Sequence, residues 1–490
     1  MQATTSIGLA AGTGRGGVTY GEMPKTAGTT SRLAWLDALR GFAALCVVFD
    51  HGSTLLLLPA RDFLYQWFNF GEYGVFVFFL VSGYIIPASL ERKGSLRAFW
   101  TSRGFRLFPM YAAAIVLAAI AYWNRFGTIR GAEHHPLTSV MSWLLMLPNL
   151  LTGPNVPNVT WTLSYEMVFY LLLAALFSWR IHARSSSYAL TFAVGAVALG
   201  GVLPMAALAR WSLHYGHGPL WLNVTADALI IGGIVLAVTD KRWPARLGGA
   251  LAALTALVLV SVNQGSPYPW SGYEILALMF TGTVIYRAEQ GQLNRFVAAG
   301  TVLAVLALTT AAGLWHGAGM GHQWQVQWAT SILLAAATFG LGMAARNRKV
   351  PRVAAWLGVI SYSVYLLHPL VFDAYRDVPA LHRLDHSTEP VQAGVFVGLA
   401  VVIIAVSALT YYTIEKPMQR LGHRLARRAP GYTAGVVASA SSEAAVTSDA
   451  GDAGDGTEGT AAAGDGTEGA AATRSTSSNS AVAGGSGGSP

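Results

Sequence analysis

Charge is scarce in this chain of 490 residues: 11% are Asp, Glu, Lys or Arg, while 53% are hydrophobic. Soluble domains use about a quarter charged residues, so a water-facing globular fold is excluded. An integral membrane protein is expected, with membrane lipids as its constant partner. Cysteine is nearly absent. The single thiol, Cys46, lies in an apolar run, which rules out a disulfide framework and a cysteine metal site. Neither redox chemistry nor a bound metal is expected. The opening residues lack the basic start, short apolar core and cleavage site of a secretory signal, so residues 1–31 read as a disordered cytoplasmic leader. Large apolar residues run out after Pro430, where Ala, Gly, Ser and Thr dominate and "AGDGTEG" occurs twice. Such a composition cannot bury enough surface to fold. The reading is a disordered tail over 426–490 and a membrane domain over 32–425.

The formal charge of +8 hides an asymmetry. Residues 431–490 hold seven acids and one base, Arg474, which leaves 31 bases and 17 acids, a balance of +14, for residues 1–430. On a soluble domain that excess would point to nucleic acid. Here the bases sit in short loops between apolar spans, so topology explains them and no nucleic-acid partner is expected. A crossing helix needs about 20 apolar residues. Twelve such runs start near Leu33, Gly71, Gly104, Trp161, Ser187, Leu220, Leu247, Gly272, Phe296, Gln325, Ala354 and Val391. Loops on the leader's side then carry fifteen Lys and Arg against six on the other, and "KPMQRLGHRLARR" adds five more. This bias puts both termini in the cytoplasm. Two pairs, Leu247 to Arg287 and Phe296 to Arg346, can each be removed without changing the sidedness of the rest. The expected fold is therefore an all-α polytopic helical bundle of ten to twelve transmembrane helices. The long segment from Asn124 to Val159 is a candidate lid or acceptor-side rim.

Ionisable side chains at membrane depth are costly, and they mark either function or structural pairing. In "LDALRGFAALCVVFDH", Arg40 and His51 are eleven residues apart, about 20° around a helix and roughly 16 Å along it. They share a face, with Arg40 in the inner half and His51 about two turns below an outer end set by Pro59. The structural alternatives are an ion pair of Arg40 with Asp37 and an interhelical hydrogen bond at His51. Asp50 points about 100° away from His51. Glu166 in "WTLSYEMVFYLL" and His368 in "SYSVYLLHPL" count to the same level as His51. Ser164 and Tyr165 are the structural partners open to Glu166, and Pro369 calls for a local polar partner beside His368. On the inner side, Arg103 and Arg106 of "RAFWTSRGFRLFPMY" lie one turn apart, with Arg97 nearby, in phase to grip one phosphate.

Taken in order, these stretches resemble the membrane-bound acyltransferase family 3. Arg40 and His51 match the family's Arg, ten residues, His pattern, and "GVFVFFLVSGYII", which holds Ser82, is similar to its second-helix signature. "RGFR" supplies Arg103 and Arg106 as its Arg-x-x-Arg motif, and "WTLSYEMVFYL" places Trp161, Ser164 and Glu166 in its Trp-x-Leu-Ser-x-Glu stretch. "ISYSVYLLHPL", with Tyr365 and His368, and "YYTIEKP" resemble its two closing helices. The resemblance runs from about Leu33 to Arg420. It implies a ten-span core and acyl-CoA, most simply acetyl-CoA, as donor substrate, with no bound cofactor. It also implies a carbohydrate or lipid-linked glycan as acceptor and the bacterial cytoplasmic membrane as location.

Acyl transfer needs a base for the attacking hydroxyl, a polar setting for the oxyanion, and positioning of both substrates. His51, able to be neutral at physiological pH, is the candidate general base, with Glu166 as its orienting partner. Phosphates held by Arg40, Arg103 and Arg106 would present a thioester near His51, because the pantetheine arm is about as long as the Arg40 to His51 separation. Ser82 is a candidate nucleophile for a covalent route, or more simply a small residue for close helix packing. Trp161, Ser164, Tyr365 and His368 are supporting residues. The competing class is a secondary transporter that uses the buried charges as substrate or proton sites. The absence of a visible two-fold repeat and the clustering of arginines at one entrance weigh against it. A non-catalytic scaffold would need none of these charges.

Overall fold

The computed structural model describes residues 28–121, 136–214, 218–239, 241–265 and 267–429. Every regular element among them is helical, as hydrocarbon requires of backbone groups with no solvent to bond. The chain begins with α1 (Gly28–Ser53), the short α2 (Leu58–Tyr65), α3 (Phe70–Lys93) and α4 (Leu96–Ala121). Then follow α5 (Pro136–Leu144), α6 (Trp161–Ser178), α7 (Ser185–Leu199), α8 (Ala207–His214), α9 (Gly218–Ala237) and α10 (Arg242–Val262). The last part comprises α11 (Ser271–Glu289), α12 (Arg295–His316), α13 (His322–Ala344), α14 (Arg352–Asp377), α15 (Pro379–His382), α16 (Glu389–Thr410) and α17 (Lys416–Arg427). Helix α1 already takes in the last residues of the expected leader, and α17 runs past residue 425. The rest of the leader and nearly all of the tail lie outside the described residues.

Each of the twelve apolar runs read from the sequence forms one helix. Among the described residues, nine helices are long and apolar enough to cross a membrane, or ten if α1 and α2 make one broken span. The two runs that fall short are α7 and α11, the second of which belongs to the Leu247 to Arg287 pair doubted from the sequence. Helix α7 has 15 residues, about 22 Å against a hydrocarbon core of about 30 Å. Helix α11 carries Glu274, Arg287 and Glu289. It packs against α3 and α7 and is buried along most of its length, so its charges face protein. Arg287, for example, bonds Gln292 Oε1 at 2.8 Å and pairs with Glu91 of α3.

Helix α1 lies between α3 and α14, and the approach to α14 is so close that it needs a glycine. A Cβ on Gly358 would fall 1.7 Å from the Asp37 carbonyl oxygen. Gly83 does the same between α3 and α11, where a Cβ would lie 1.8 Å from the Met279 carbonyl oxygen. Both obstacles are backbone, which cannot swing aside as a side chain can. Overpacking usually costs about 1–3 kcal/mol, and Gly358→Leu is expected at or above the upper end. Size-exclusion chromatography of the detergent-solubilised variant should show loss of the monodisperse peak; a wild-type profile and melting point would refute this role.

Candidate active site

Helix α1 carries Arg40 to a point bordered by two cavities. The first, about 270 Å³, opens at the end of the bundle where α3 gives way to α4, and is lined by Asp37, Arg40, Lys93, Arg103, Arg106 and His423 among others. A left-handed residue, Gly94 at φ 63°, ends α3 and lets α4 start at once, bringing Lys93 beside the first turns of α4. Lys93 Nζ donates to Ser102 Oγ. Arg103 is 6% exposed, its guanidinium 5.7 and 5.4 Å from the ring centres of Phe99 and Tyr170, and its Nε has no hydrogen-bond partner. Ring faces thus hold a cation while leaving a donor unused. The three arginines singled out in the sequence share this cavity; Arg97 lies elsewhere.

Arg40 also borders a smaller inner cavity, about 50 Å³, with Phe78, Phe79, Ser82, Thr162, Glu166, Tyr362 and Tyr365. Ser82 therefore faces the cavity, and close helix packing falls to its neighbour Gly83. Glu166 accepts from the Tyr170 hydroxyl and is an electrostatic neighbour of Arg40 and Arg103. The Tyr365 hydroxyl donates to the Val159 carbonyl at 3.2 Å and meets Thr162 Oγ1 at 2.9 Å. Its ring centre is 6.0 Å from that of His368.

His368 is fully buried in α14 and its Nε2 lies 3.0 Å from His51 Nδ1. Its own Nδ1 is 3.1 Å from the Val364 carbonyl, with the Tyr365 carbonyl also within bonding reach. Pro369 lacks the N–H that would otherwise serve Tyr365. These contacts fix the protons, because a carbonyl only accepts. His368 must carry its proton on Nδ1, so its Nε2 holds a lone pair and accepts from His51 Nδ1–H. His51 Nε2 is then the lone-pair nitrogen, the form a general base requires.

The partner of His51 is therefore His368, and the pairing with Glu166 expected from depth is corrected. Glu166 settles instead beside the arginines, where a desolvated carboxylate gains most. The end of α1 is also corrected: the helix stops at Ser53, so His51 occupies its last turn. Ser53 Oγ bonds the Asp50 carbonyl at 2.9 Å and Thr54 Oγ1 the His51 carbonyl at 2.7 Å, offering the backbone an alternative to further helical bonds. Leu57 then turns left-handed at φ 61°, and α2 departs at 119° to α1. Asp50 accepts from Gly71 N–H in the first turn of α3, away from His51.

Two other supporting residues, Trp161 and Ser164, line neither cavity. Ser164 is fully buried and accepts from Asn149 N–H at 3.3 Å; Trp161 packs edge-on against Tyr165 at 6.1 Å. Part of the long segment read as a candidate lid, residues 124–135, lies outside the described residues. The remainder packs into the bundle: α5 lies on α9, and Leu145, Leu147 and Leu150 are buried. It lines neither cavity. The sequence reading missed Glu415, which is 2% exposed, accepts from Ser363 Oγ at 2.9 Å and Gln419 Nε2 at 2.8 Å, and neighbours Arg40 and Arg106. An acid at the inner end of an apolar helix, in "YYTIEKP", was the available signal.

The profile of this family's acyltransferase domain matches residues 33–412. The chain is 30% identical over 149 residues to the acyltransferase MdmB of Streptomyces mycarofaciens, covering 29% of this chain and 38% of that protein. It is 31% identical over 179 residues to nodulation protein 10 of Rhizobium leguminosarum bv. viciae, covering 33% and 48%. An O-acetyl transferase of Shigella phage Sf6 is 28% identical over 149 residues, covering 28% and 43%. The chain thus spans less than half the length of these curated relatives. No solved structure matches. With Arg40, Ser82, Arg103, Arg106, Glu166 and Tyr365 lining two cavities and the profile covering most of the sequence, the chain belongs to the membrane-bound acyltransferase family 3.

Proposed function

We propose that the protein is a multi-pass membrane O-acyltransferase of the bacterial cytoplasmic membrane. It takes an acyl group, acetyl in the simplest case, from cytoplasmic acyl-CoA and passes it to a hydroxyl of a surface or exported glycan. The observation that carries this reading is the chain from the Val364 carbonyl through His368 to His51, which leaves a lone pair on His51 Nε2. The two cavities sharing Arg40 support it. In the outer of the two, Arg40, Arg103 and Arg106 hold the donor's phosphates; the inner one directs the pantetheine arm toward His51.

In the reaction, His51 Nε2 takes the proton of the acceptor hydroxyl as its oxygen attacks the thioester carbonyl carbon. The tetrahedral intermediate collapses with cleavage of the C–S bond, and the leaving thiolate takes the acceptor's proton from the His51 imidazolium, giving free coenzyme A thiol. His368 Nε2 stays on the His51 Nδ1–H throughout and shares the developing charge. At the His51 end of the bundle, a cleft of about 710 Å³ lined by Tyr65, Gln66, Asn69, Gln323, Trp324 and Gln327 suits a sugar. The Gln323 and Gln327 amides donate to the Tyr65 carbonyl, which leaves their carbonyl oxygens and Gln66 to meet hydroxyls.

Purified protein in detergent with labelled acetyl-CoA tests the reading. Donor hydrolysis or transfer is expected, and both should fall in monodisperse variants, by on the order of 10³-fold in His51→Ala and by at least roughly 10-fold in Arg40→Ala. Solute transport by the reconstituted His51→Ala protein at wild-type rate, with no acyl transfer by wild type, would instead establish a carrier. Chemical analysis of surface glycans from a deletion strain should show lost O-acyl groups.

A further inference from the structure

A third cavity, about 310 Å³, opens at the same end as the arginine-lined one but has none of its lining residues. Five cations line it: Arg97 from the first turn of α4, Arg180 from the turn after α6, and Lys241, Arg242 and Arg246 from the start of α10. No carboxylate among the described residues lines it; Asp240, next to Lys241 in the sequence, lies outside them. A bias of basic residues to one side of the membrane requires only that they lie on that side. It does not require cations from three separate segments to converge on one space, where they repel one another. The convergence calls for an anion, and guanidinium forks match phosphate oxygens.

Apolar side chains also line it, among them Leu96, Phe177, Ala237 and Val238. Beside it, the Arg246 guanidinium lies 5.4 and 5.5 Å from the ring centres of Trp179 and Trp243, which are 39% and 64% exposed. Exposed tryptophans at the end of membrane helices are the mark of the lipid interface. A free phosphate would use the cations and leave the apolar side chains bare; an amphiphile uses both. We propose that this cavity binds the phosphate headgroup of an anionic phospholipid. The site is separate from the Arg40, Arg103 and Arg106 cavity and does not depend on the acyltransferase reading.

The test uses full-length protein purified in detergent and titrated with cardiolipin or, in parallel, with inorganic pyrophosphate or coenzyme A. Bound species are followed by native mass spectrometry and by the thermal unfolding midpoint. Wild type is expected to keep a cardiolipin adduct and to melt higher with cardiolipin than with phosphatidylcholine. The triple change Arg97→Gln, Arg180→Gln, Arg246→Gln should weaken the adduct by on the order of 100-fold, from about fivefold per cation. The corresponding triple change to lysine keeps the charge and should keep most of the binding, which guards against misfolding of the glutamine variant. Equal cardiolipin binding by wild type and a monodisperse glutamine variant would overturn the proposal. So would displacement of the lipid by coenzyme A or pyrophosphate at this site, which would make the phosphate source soluble.

Discussion

Replacing His51 with alanine is expected to lower acyl transfer by on the order of 10³-fold, within the range that a positioned proton-transfer group contributes. The loss should fall on kcat, since the arginines proposed to grip the donor are untouched. His368 gives the sharper test, because it acts only through His51. Its Nε2 accepts the His51 Nδ1–H at 3.0 Å, and an alanine there would free His51 to turn or to adopt the other tautomer. His368→Ala is expected to cost roughly 10–100-fold, less than removal of the base. In His368→Gln, the amide oxygen can accept the same N–H, so activity should recover at least partly. A merely structural His368 would give equal losses with alanine and glutamine, tracking the unfolding midpoint. Full activity in His51→Ala would remove the base assignment altogether.

How much of this was legible beforehand depended on which coordinate each residue needed. Distance along a helix is a matter of counting, and Arg40, Arg103 and Arg106 meet at one end as their positions require. Counting also set His51, Glu166 and His368 at one level. It could not say which helices are neighbours, nor which way a side chain faces around its own axis. That α1 packs on α14, more than 300 residues later, follows from a glycine contact at Gly358. No periodicity in either segment announces it. Depth alone therefore pairs His51 with Glu166, whereas the packing of α1 on α14 pairs it with His368. The stop of α1 at Ser53 was hidden for a related reason: "TLLLLPA" is apolar enough to continue a span. Hydroxyls on Ser53 and Thr54 bonding back to the chain end it instead. The motif around Glu415 gives it no readable role, because its charge matters only once Arg40 and Arg106 lie beside it.

Arg40 is the residue whose loss should do most damage on the donor side. Arg103 and Arg106 line only the outer of the two cavities that Arg40 joins, and replacing either is expected to raise KM for acyl-CoA with kcat largely kept. Arg40 borders both spaces and shares the inner one with Glu166 and Tyr365. Arg40→Ala should therefore raise KM and lower kcat together. A hydrogen bond to a charged group is worth about 1.5–3 kcal/mol, so kcat/KM should fall by roughly 10- to 150-fold for one such bond. The effect would be larger if the guanidinium contacts the donor in both cavities. Lysine keeps the charge without the planar fork, so Arg40→Lys should restore part of the binding and little of the turnover. An increase in KM alone, with kcat at the wild-type value, would confine Arg40 to phosphate binding and remove the inner cavity from the donor's path. Unchanged kinetics would reduce it to a structural partner of Asp37, Glu166 and Glu415, its electrostatic neighbours within the bundle.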